Sequence, residues 1–556
     1  MKKILFYFTS LIFMFLLTSC EFSINMGSKE SSEPNNPNLK YQIEDGEVVI
    51  NDKNITSSLD IDDNYRVFYE IFTGSFSDSN GDGIGDLQGI INRLDYLNDG
   101  NPNSGKSLGI QGIWLTPIFT SPTYHKYDVT DYYSIDPSFG NMDDLKTLIS
   151  ECHKRNIKLI IDLPINHTGH KNQWFLEFCN AHKTNDTTNK YYDYYCYYTS
   201  GEAVPAGRSF NSVYGTSIFY ECNFSGNMPE LNYDNEQVRQ DVLDIAKYYI
   251  HLGIDGFRFD AAKYIYFGEE SKSAAFWNWY TTELKTIKPD IYIVGEVWSG
   301  DGITDIYYGQ GLNCFNFTMS QAEGKIASTA KSGNVTVYTK YVESYLNKIN
   351  SLSTDAMMHP FIANHDTDRA GGFLPLSTKH AYMAANLYIL SNGSPFIYYG
   401  EEIGMKGSRG SANSDANRRL AMRWGDGDTI KDPSEATYNN EKYQINGTVV
   451  DHKADENSLY NYYKKLIMIR NAHPEIARGE YKALSSSKTT IGGFTSTYNG
   501  STVCVIHNTA NVDLEVDLAS LNAAQFSIIS AYIGQGDVTL ENNILKIAAQ
   551  TTVILK

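Results

Sequence analysis

The sequence predicts an α/β protein: a closed (β/α)8 barrel of the TIM type, with an inserted subdomain after its third strand and a C-terminal antiparallel β-sandwich. Three observations predict this. Eight apolar runs alternate with helix-patterned segments between residues 66 and 400. The rhythm pauses once, after the third run, for a polar interval that includes "YYDYYCYYTS" (191–200). From about residue 475 helical periodicity gives way to short alternating runs such as "TIGGFTSTY", "TVCVIHN" and "LEVDL".

The elements follow in chain order. Residues 1–20, "MKKILFYFTSLIFMFLLTSC", carry two lysines, an apolar stretch and a small-residue end, the pattern of an export signal rather than a membrane span. The ending "LTSC" resembles a bacterial lipobox, which would make Cys20 the lipidated first residue of the mature chain. A lipid anchor would then be the only membrane contact, and the protein would sit exported at the cell envelope or surface. Residues 21–60 are rich in Ser, Asn and Pro and read as a flexible tether.

The first part of the barrel spans 61–167, with strands expected at 66–72, 109–118 and 157–167. Subdomain B is expected at 168–233, on the face where barrel enzymes build their sites. The barrel resumes at 234–474, with strands expected at 254–260, 291–298, 312–317, 359–366 and 394–400, and the sandwich fills 475–556. Near-continuous apolar strands imply a parallel sheet covered on both faces. The helices between them are amphipathic, as in "MDDLKTLISECHKRN" (142–156), with basic residues late.

Composition excludes some functions. The net charge of −19 provides no basic footprint for nucleic acid. Aromatic residues reach 13%, with 41 Tyr, which suits sugar rings as well as ordinary packing. Beyond Cys20 there are six cysteines with no CxxC pair, which argues against a thiolate zinc site. Free thiols and disulfides remain equally open readings.

The polar strand ends carry the chemistry. Strand four ends "GFRFD", which places Arg258 and Asp260 on one side because strand side chains alternate with period two. Strand five ends in Glu296, and strand seven ends in Asn364, His365 and Asp366. One Asp at a strand end is ordinarily a cap or turn residue. Three carboxylates ending three apolar runs on one barrel rim are the arrangement that an acid and a nucleophile require.

These segments carry a resemblance. "DLPINH" (162–167), "GFRFDAAKY" (256–264), "GEVW" (295–298) and "IANHD" (362–366), supported by "GIWLTPI", "MPELN" and "GSPFIYYGEEIG", resemble the α-amylases of glycoside hydrolase family 13. The subgroup between oligo-1,6-glucosidases and neopullulanases is the nearest in appearance. The resemblance implies Asp260 as nucleophile, Glu296 as general acid and base, and Asp366 as the carboxylate that binds sugar hydroxyls and distorts the ring. It implies retention of configuration by double displacement. It also implies substrate contacts for His125, Tyr127, His167, Arg258, Lys263, His365 and Arg369. Two departures stand out: Tyr264 follows Lys263 where the family commonly has His, and Glu230 stands in "MPELN" where Asp is usual.

The stretch "DSNGDGIGD" places Asp78, Asn80, Asp82, the Ile84 carbonyl and Asp86 at the spacing of a calcium loop, with Gly83 at the sharp turn. Gly89 stands where an EF-hand needs Glu, and a strand rather than a helix precedes the loop. A structural Ca2+ loop is expected, not a sensor. The resemblance implies a second site from Asn166, Glu230 and the carbonyl of Tyr264.

The expected activity is endo-hydrolysis of α-1,4 bonds in starch-like α-glucans and maltooligosaccharides. The alternatives are an exo-acting α-glucosidase or glucanotransferase, or a non-catalytic glucan-binding surface protein. Ala261 follows the nucleophile where oligo-1,6-glucosidases typically have Val, which favours α-1,4 cleavage.

Overall fold

The computed structural model describes residues 61–101, 104–438 and 446–556, and the backbone of three short strands before them. The export signal and Cys20 lie outside the described residues. The three strands, Tyr41–Glu44, Glu47–Ile50 and Lys53–Ile55, pair as an antiparallel meander inside the segment read as a tether. Its alternating "YQIEDGEVVI" is a hairpin signal that the tether reading passed over.

Six parallel strands form one sheet in the order Tyr292–Gly295, Gly256–Phe259, Lys158–Leu163, Gly112–Leu115, Phe68–Ile71 and Phe396–Tyr398. These are barrel strands five, four, three, two, one and eight. Strands six and seven are reduced to single bridges, Gly295 with Cys314, Phe315 with His359 and Phe361 with Phe396, which carry the ring from strand five round to strand eight. Pro360 has no N–H to donate, which shortens the seventh ladder. At the sixth, the Asn313 side chain takes the Met357 N–H at 2.9 Å.

The barrel interior has two levels. Below lies an apolar, largely aromatic layer of Phe68, Trp114, Ile160, Tyr292, Val294, Phe315, Phe317, Phe361 and Phe396. Gly112 makes room for it, because a Cβ there would stand 2.4 Å from the Phe68 ring. Strand residues two positions on point the same way, so Phe68 leads to Glu70 and Ile160 to Asp162. Register sets Arg258 beside Asp162 and Val294. Charges thus collect at the top of the barrel.

The outer face packs on helices whose ends are fixed locally. Helix Met142–Lys154 begins with a capping box between Asn141 and Asp144 and buries Leu145, Leu148, Ile149 and Cys152. Helix Glu236–Leu252 is capped by Asn235 and ends at Gly253, whose φ of 106° suits glycine. Between strands three and four come helix Gln173–Thr184 and the sheet Phe210–Ser212, Ile218–Glu221, Tyr197–Thr199. Tyr194 and Tyr195 of the Tyr-rich run are buried against Trp174, Phe175 and Phe178, so they pack the insert instead of offering sugar platforms.

The C-terminal region stacks a five-stranded and a three-stranded antiparallel sheet around Leu484, Ile506, Leu518, Leu545 and Val553. Cys152, Cys179, Cys196, Cys222, Cys314 and Cys504 are all free thiols. No helix among the described residues is long and apolar enough to cross a membrane.

Candidate active site

Arg258 organises the site. Its guanidinium is fully buried, and its Nη1 donates to both oxygens of Asp162 at 2.9 and 2.8 Å and to Asp260 Oδ1 at 2.8 Å. Its Nη2 stands 3.1 Å from Glu296 Oε2, so one planar cation serves three carboxylates from three strands. Directly after Asp260 the backbone turns left-handed at Ala261, with φ 49°, a conformation that costs a non-glycine residue energy. That turn aims the Ala261 N–H at Glu296 Oε2, 3.0 Å away.

Burial pushes the Glu296 carboxyl up, Arg258 pulls it back, and the neighbouring Asp260 and Asp366 charges raise it again, leaving it at about 7. Asp366 behaves oppositely. Burial raises it, but His365, Arg419 and Arg258 outweigh burial and hold it well below the usual carboxylate range. Its Oδ2 lies 3.0 Å from His365 Nε2, and its Oδ1 accepts from Arg419 Nη2 at 2.7 Å. Side-chain exposures of 12% for Asp260 and Glu296 and 27% for Asp366 leave the three acids open to the cleft. Two carboxylates held by one cation, with the second of them half-protonated near neutrality, can supply a nucleophile and a proton donor to one bond.

Around the trio the predicted residues fall into place unevenly. Tyr127 lies under the site, its hydroxyl 2.8 Å from Asp162 Oδ2 and 2.7 Å from His365 Nε2. His125 sits at the rim, between the rings of Tyr124 and Tyr127. His167 is buried, with Nε2 3.2 Å from the Tyr127 carbonyl and burial lowering its basicity. Lys263 reaches along the rim to the Trp298 carbonyl at 3.1 Å. The exposed Trp298 stacks on Phe317 at 4.8 Å.

Arg369 is a correction. It is 2% exposed and donates to the carbonyls of Arg418 and Tyr399, so it ties the 418–420 segment to the eighth strand and does not face the cleft.

Three residues of the constellation were missed. Glu70 meets His365 Nδ1 at 2.5 Å, and Asp162 anchors Arg258 from below. Arg419 grips Asp366 and also donates to Tyr124 Oη at 3.0 Å and to the His365 carbonyl at 3.0 Å.

The loop at 78–86 has the donor chemistry of a calcium site, all hard oxygens. Asp78 accepts from the N–H groups of Asn80, Gly81 and Gly83 and from Thr429 Oγ1. Asp82 accepts from Ile84 N at 2.7 Å, and Asp86 caps helix Leu87–Asn92 through Gly89 N. Asn80, Asp82 and Ile84 are exposed. Among the described residues no three His, Cys, Asp or Glu side chains gather as a metal cluster. The loop therefore fits Ca2+ in ligand type, while its carboxylates are turned on backbone N–H groups.

At the second predicted site, Asn166 and Glu230 are neighbours across the bridge from His167 to Glu230. Glu230 accepts from Asn223 N at 3.0 Å, and burial beside Glu221 pushes it up to about 8. Tyr264 packs its ring on Phe224. Arg208 already places a guanidinium on Glu221, at 2.9 Å, so the protein supplies a cation of its own there.

A family profile described as "Alpha amylase, catalytic domain" matches residues 70–479. The chain is 36% identical over 451 residues to alpha-amylase 3 of Dictyoglomus thermophilum, covering 80% of this chain and 85% of that one. It is 31% identical over 526 residues to an oligo-1,6-glucosidase of Bacillus cereus, covering 80% and 90%. Eubacterium rectale Amy13B superimposes with a TM-score of 0.81 at 35% identity, covering 89% of this chain and 96% of that one. With the barrel, the carboxylate trio and a profile match over most of its length, the chain belongs to the alpha-amylase family of glycoside hydrolases.

Proposed function

We propose that this glycoside hydrolase cleaves internal α-1,4 bonds of starch-like glucans and maltooligosaccharides with retention. The observation that carries the reading is Arg258 holding Asp260 and Glu296 together while Glu296 keeps a proton near neutrality. Asp260 attacks the anomeric carbon as Glu296 passes its proton to the departing glycosidic oxygen. Glu296, now a carboxylate, takes a proton from water, whose oxygen displaces Asp260 and frees the sugar. Asp366, charged and clamped by His365 and Arg419, holds sugar hydroxyls as positive charge develops on the ring.

A product time course on soluble starch and maltoheptaose tests the reading. Rapid loss of iodine staining with mixed short products supports endo-cleavage. Glucose or one disaccharide alone, with staining preserved, favours an exo-acting glucosidase. Products longer than maltoheptaose favour transfer, and no products from either would leave α-1,6 specificity or the binding protein to be separated next.

The same geometry sets a pH dependence. Because Glu296 must be protonated to donate, kcat/KM should fall above about pH 7, tenfold per unit once the limb is reached. A profile flat to pH 9 would remove Glu296 from the donor role.

Calcium binding by the 78–86 loop is part of this reading, supported by its oxygen donors and family membership. Bound Ca2+ would pin the loop to the first barrel strand; no chemical step runs through it. Calcium at about 100 times its dissociation constant should stabilise the parent by about 2.7 kcal/mol. Asp82→Ala, which removes an exposed carboxylate, should melt like the parent in chelator and lose the calcium increment. Equal melting with and without calcium in the parent would sink the site. Export with lipidation at Cys20 is proposed from the first twenty residues alone, and a Cys20→Ser chain released from the membrane fraction would support it.

A further inference from the structure

We propose that Glu70 is a positioning residue for the hydrolytic reaction: from inside the first barrel strand it holds His365 as an imidazolium, protonated on both ring nitrogens, between itself and Asp366. The inference rests on the reading of Asp366 as a substrate-binding carboxylate, and nothing in the family-like motifs of the sequence drew attention to Glu70.

The geometry is specific. Glu70 is 1% exposed and His365 is fully buried. Glu70 Oε1 stands 2.5 Å from His365 Nδ1 and also 3.3 Å from the His365 backbone N. The other ring nitrogen, Nε2, stands 3.0 Å from Asp366 Oδ2 and 2.7 Å from Tyr127 Oη. Burial raises Glu70, while His365 and Arg258 pull it back toward the ionised form. An ionised carboxylate only accepts hydrogen bonds, so with Glu70 and Asp366 both ionised the ring is satisfied only when both nitrogens carry protons. With both carboxylates ionised, a neutral tautomer would set a lone pair against one of them on a ring that has no exposed surface.

The ring is fixed in orientation as well. Tyr127 stacks on it at 5.6 Å, Trp114 meets its edge at 5.7 Å, and Phe72 lies at 6.4 Å. The charged and titratable groups that bear on the ring are Glu70 from strand one, Asp162 from strand three, Arg258 from strand four, Asp366 beside it, Tyr127 below and Arg419 from the 415–420 segment. Tyr398 and Arg369 lie within range behind Glu70. Burial disfavours a charged ring, yet Asp366 and Glu70 overcome it and push His365 up to about 10. A carboxylate buried inside the barrel would otherwise be a liability. Here it gives Asp366 a fixed cationic partner and leaves Asp366 free to keep its remaining acceptor capacity for sugar hydroxyls.

Glu70→Gln tests this with shape preserved, since the amide oxygen still accepts from Nδ1 while the charge is gone. In the parent, nitrogen NMR of 15N-histidine protein should show both His365 nitrogens protonated from pH 6 to 9, with His365→Gln used to assign the signals. In Glu70→Gln the ring should titrate about one to three pH units lower, the size of effect one adjacent opposite charge has. Compared with the parent at each pH, kcat on maltoheptaose should fall progressively from pH 6 to 9 as the less basic ring gives up its proton, with KM changed less than threefold, because an Asp366 without its cationic partner loses an interaction made in the transition state.

A neutral His365 in the parent at pH 7 would overturn the proposal. So would a folded Glu70→Gln with lowered melting temperature but kcat within twofold of the parent at every pH from 6 to 9, the mark of a structural role alone. If Glu70→Gln does not fold, the parent NMR titration decides. If the parent hydrolyses no α-glucan, the NMR result still stands or falls by itself, which separates this inference from the proposed activity.

Discussion

Replacing Asp260 by Asn should lower kcat on maltoheptaose by at least about 10^4-fold, a loss of about 5.5 kcal/mol of transition-state stabilisation. The amide keeps the side chain's shape and an oxygen for Arg258 Nη1, which now stands 2.8 Å from Asp260 Oδ1. It cannot form the glycosyl ester, so the double displacement stops at its first bond. The aromatic and charged layers beneath are untouched, so the melting temperature should move little, and calorimetric affinity for maltoheptaose should stay within a few-fold. One further sign is fixed. Asp260 contributes to raising Glu296, so any residual activity should show its alkaline limb at lower pH than the parent. A variant with kcat within tenfold of the parent would remove Asp260 as nucleophile.

How much of this was readable beforehand depends on what kind of signal each residue leaves. Asp260, Glu296 and Asp366 end apolar runs, and a charge that closes a β-run stands out in a linear string. The structure brings them together as that pattern implies. Glu70 left no such mark. It sits inside "FYEIF", where an inward carboxylate looks the same as a residue on the helix-facing side until register with Trp114 and Tyr398 is known. Arg419 lies in an irregular stretch with neither period, and its grip on Asp366 comes from a separation of 53 residues that no local pattern encodes. Arg369 shows the converse: the resemblance implied a substrate contact for it, but its guanidinium is buried on two backbone carbonyls. The shortness of strands six and seven was hidden too, because apolar runs report burial and not the length of the ladder, and Pro360 was the one local clue.

The second large effect is expected at Arg258, where stability and chemistry can be separated. Arg258→Met fills similar space and keeps contact with Trp114, over which the guanidinium carbon now lies at 5.2 Å. It leaves Asp162, Asp260 and Glu296 without their shared cation. Breaking a buried ion pair from one side costs about 3–5 kcal/mol, which chemical denaturation should read directly. The pH dependence has a definite sign. Burial already raises Asp162 to about 7 against the pull of Arg258, and loss of the cation raises both Asp162 and Glu296 further. An acid whose folded-state value lies above its unfolded one stabilises the fold when protonated, and that contribution is lost as pH rises through the folded value. The variant should therefore approach the parent near pH 5 and fall away from it toward pH 8. Adding Asp162→Asn removes the most deeply buried of the stranded charges, so the double variant should recover part of the lost stability at pH 8. It should not recover activity, because Asp260 and Glu296 still lack the guanidinium that sets their spacing. Recovery of neither stability nor activity would mean that Asp162 is not the charge Arg258 chiefly compensates, and recovery of both would mean that the guanidinium is dispensable for placing the nucleophile and the acid.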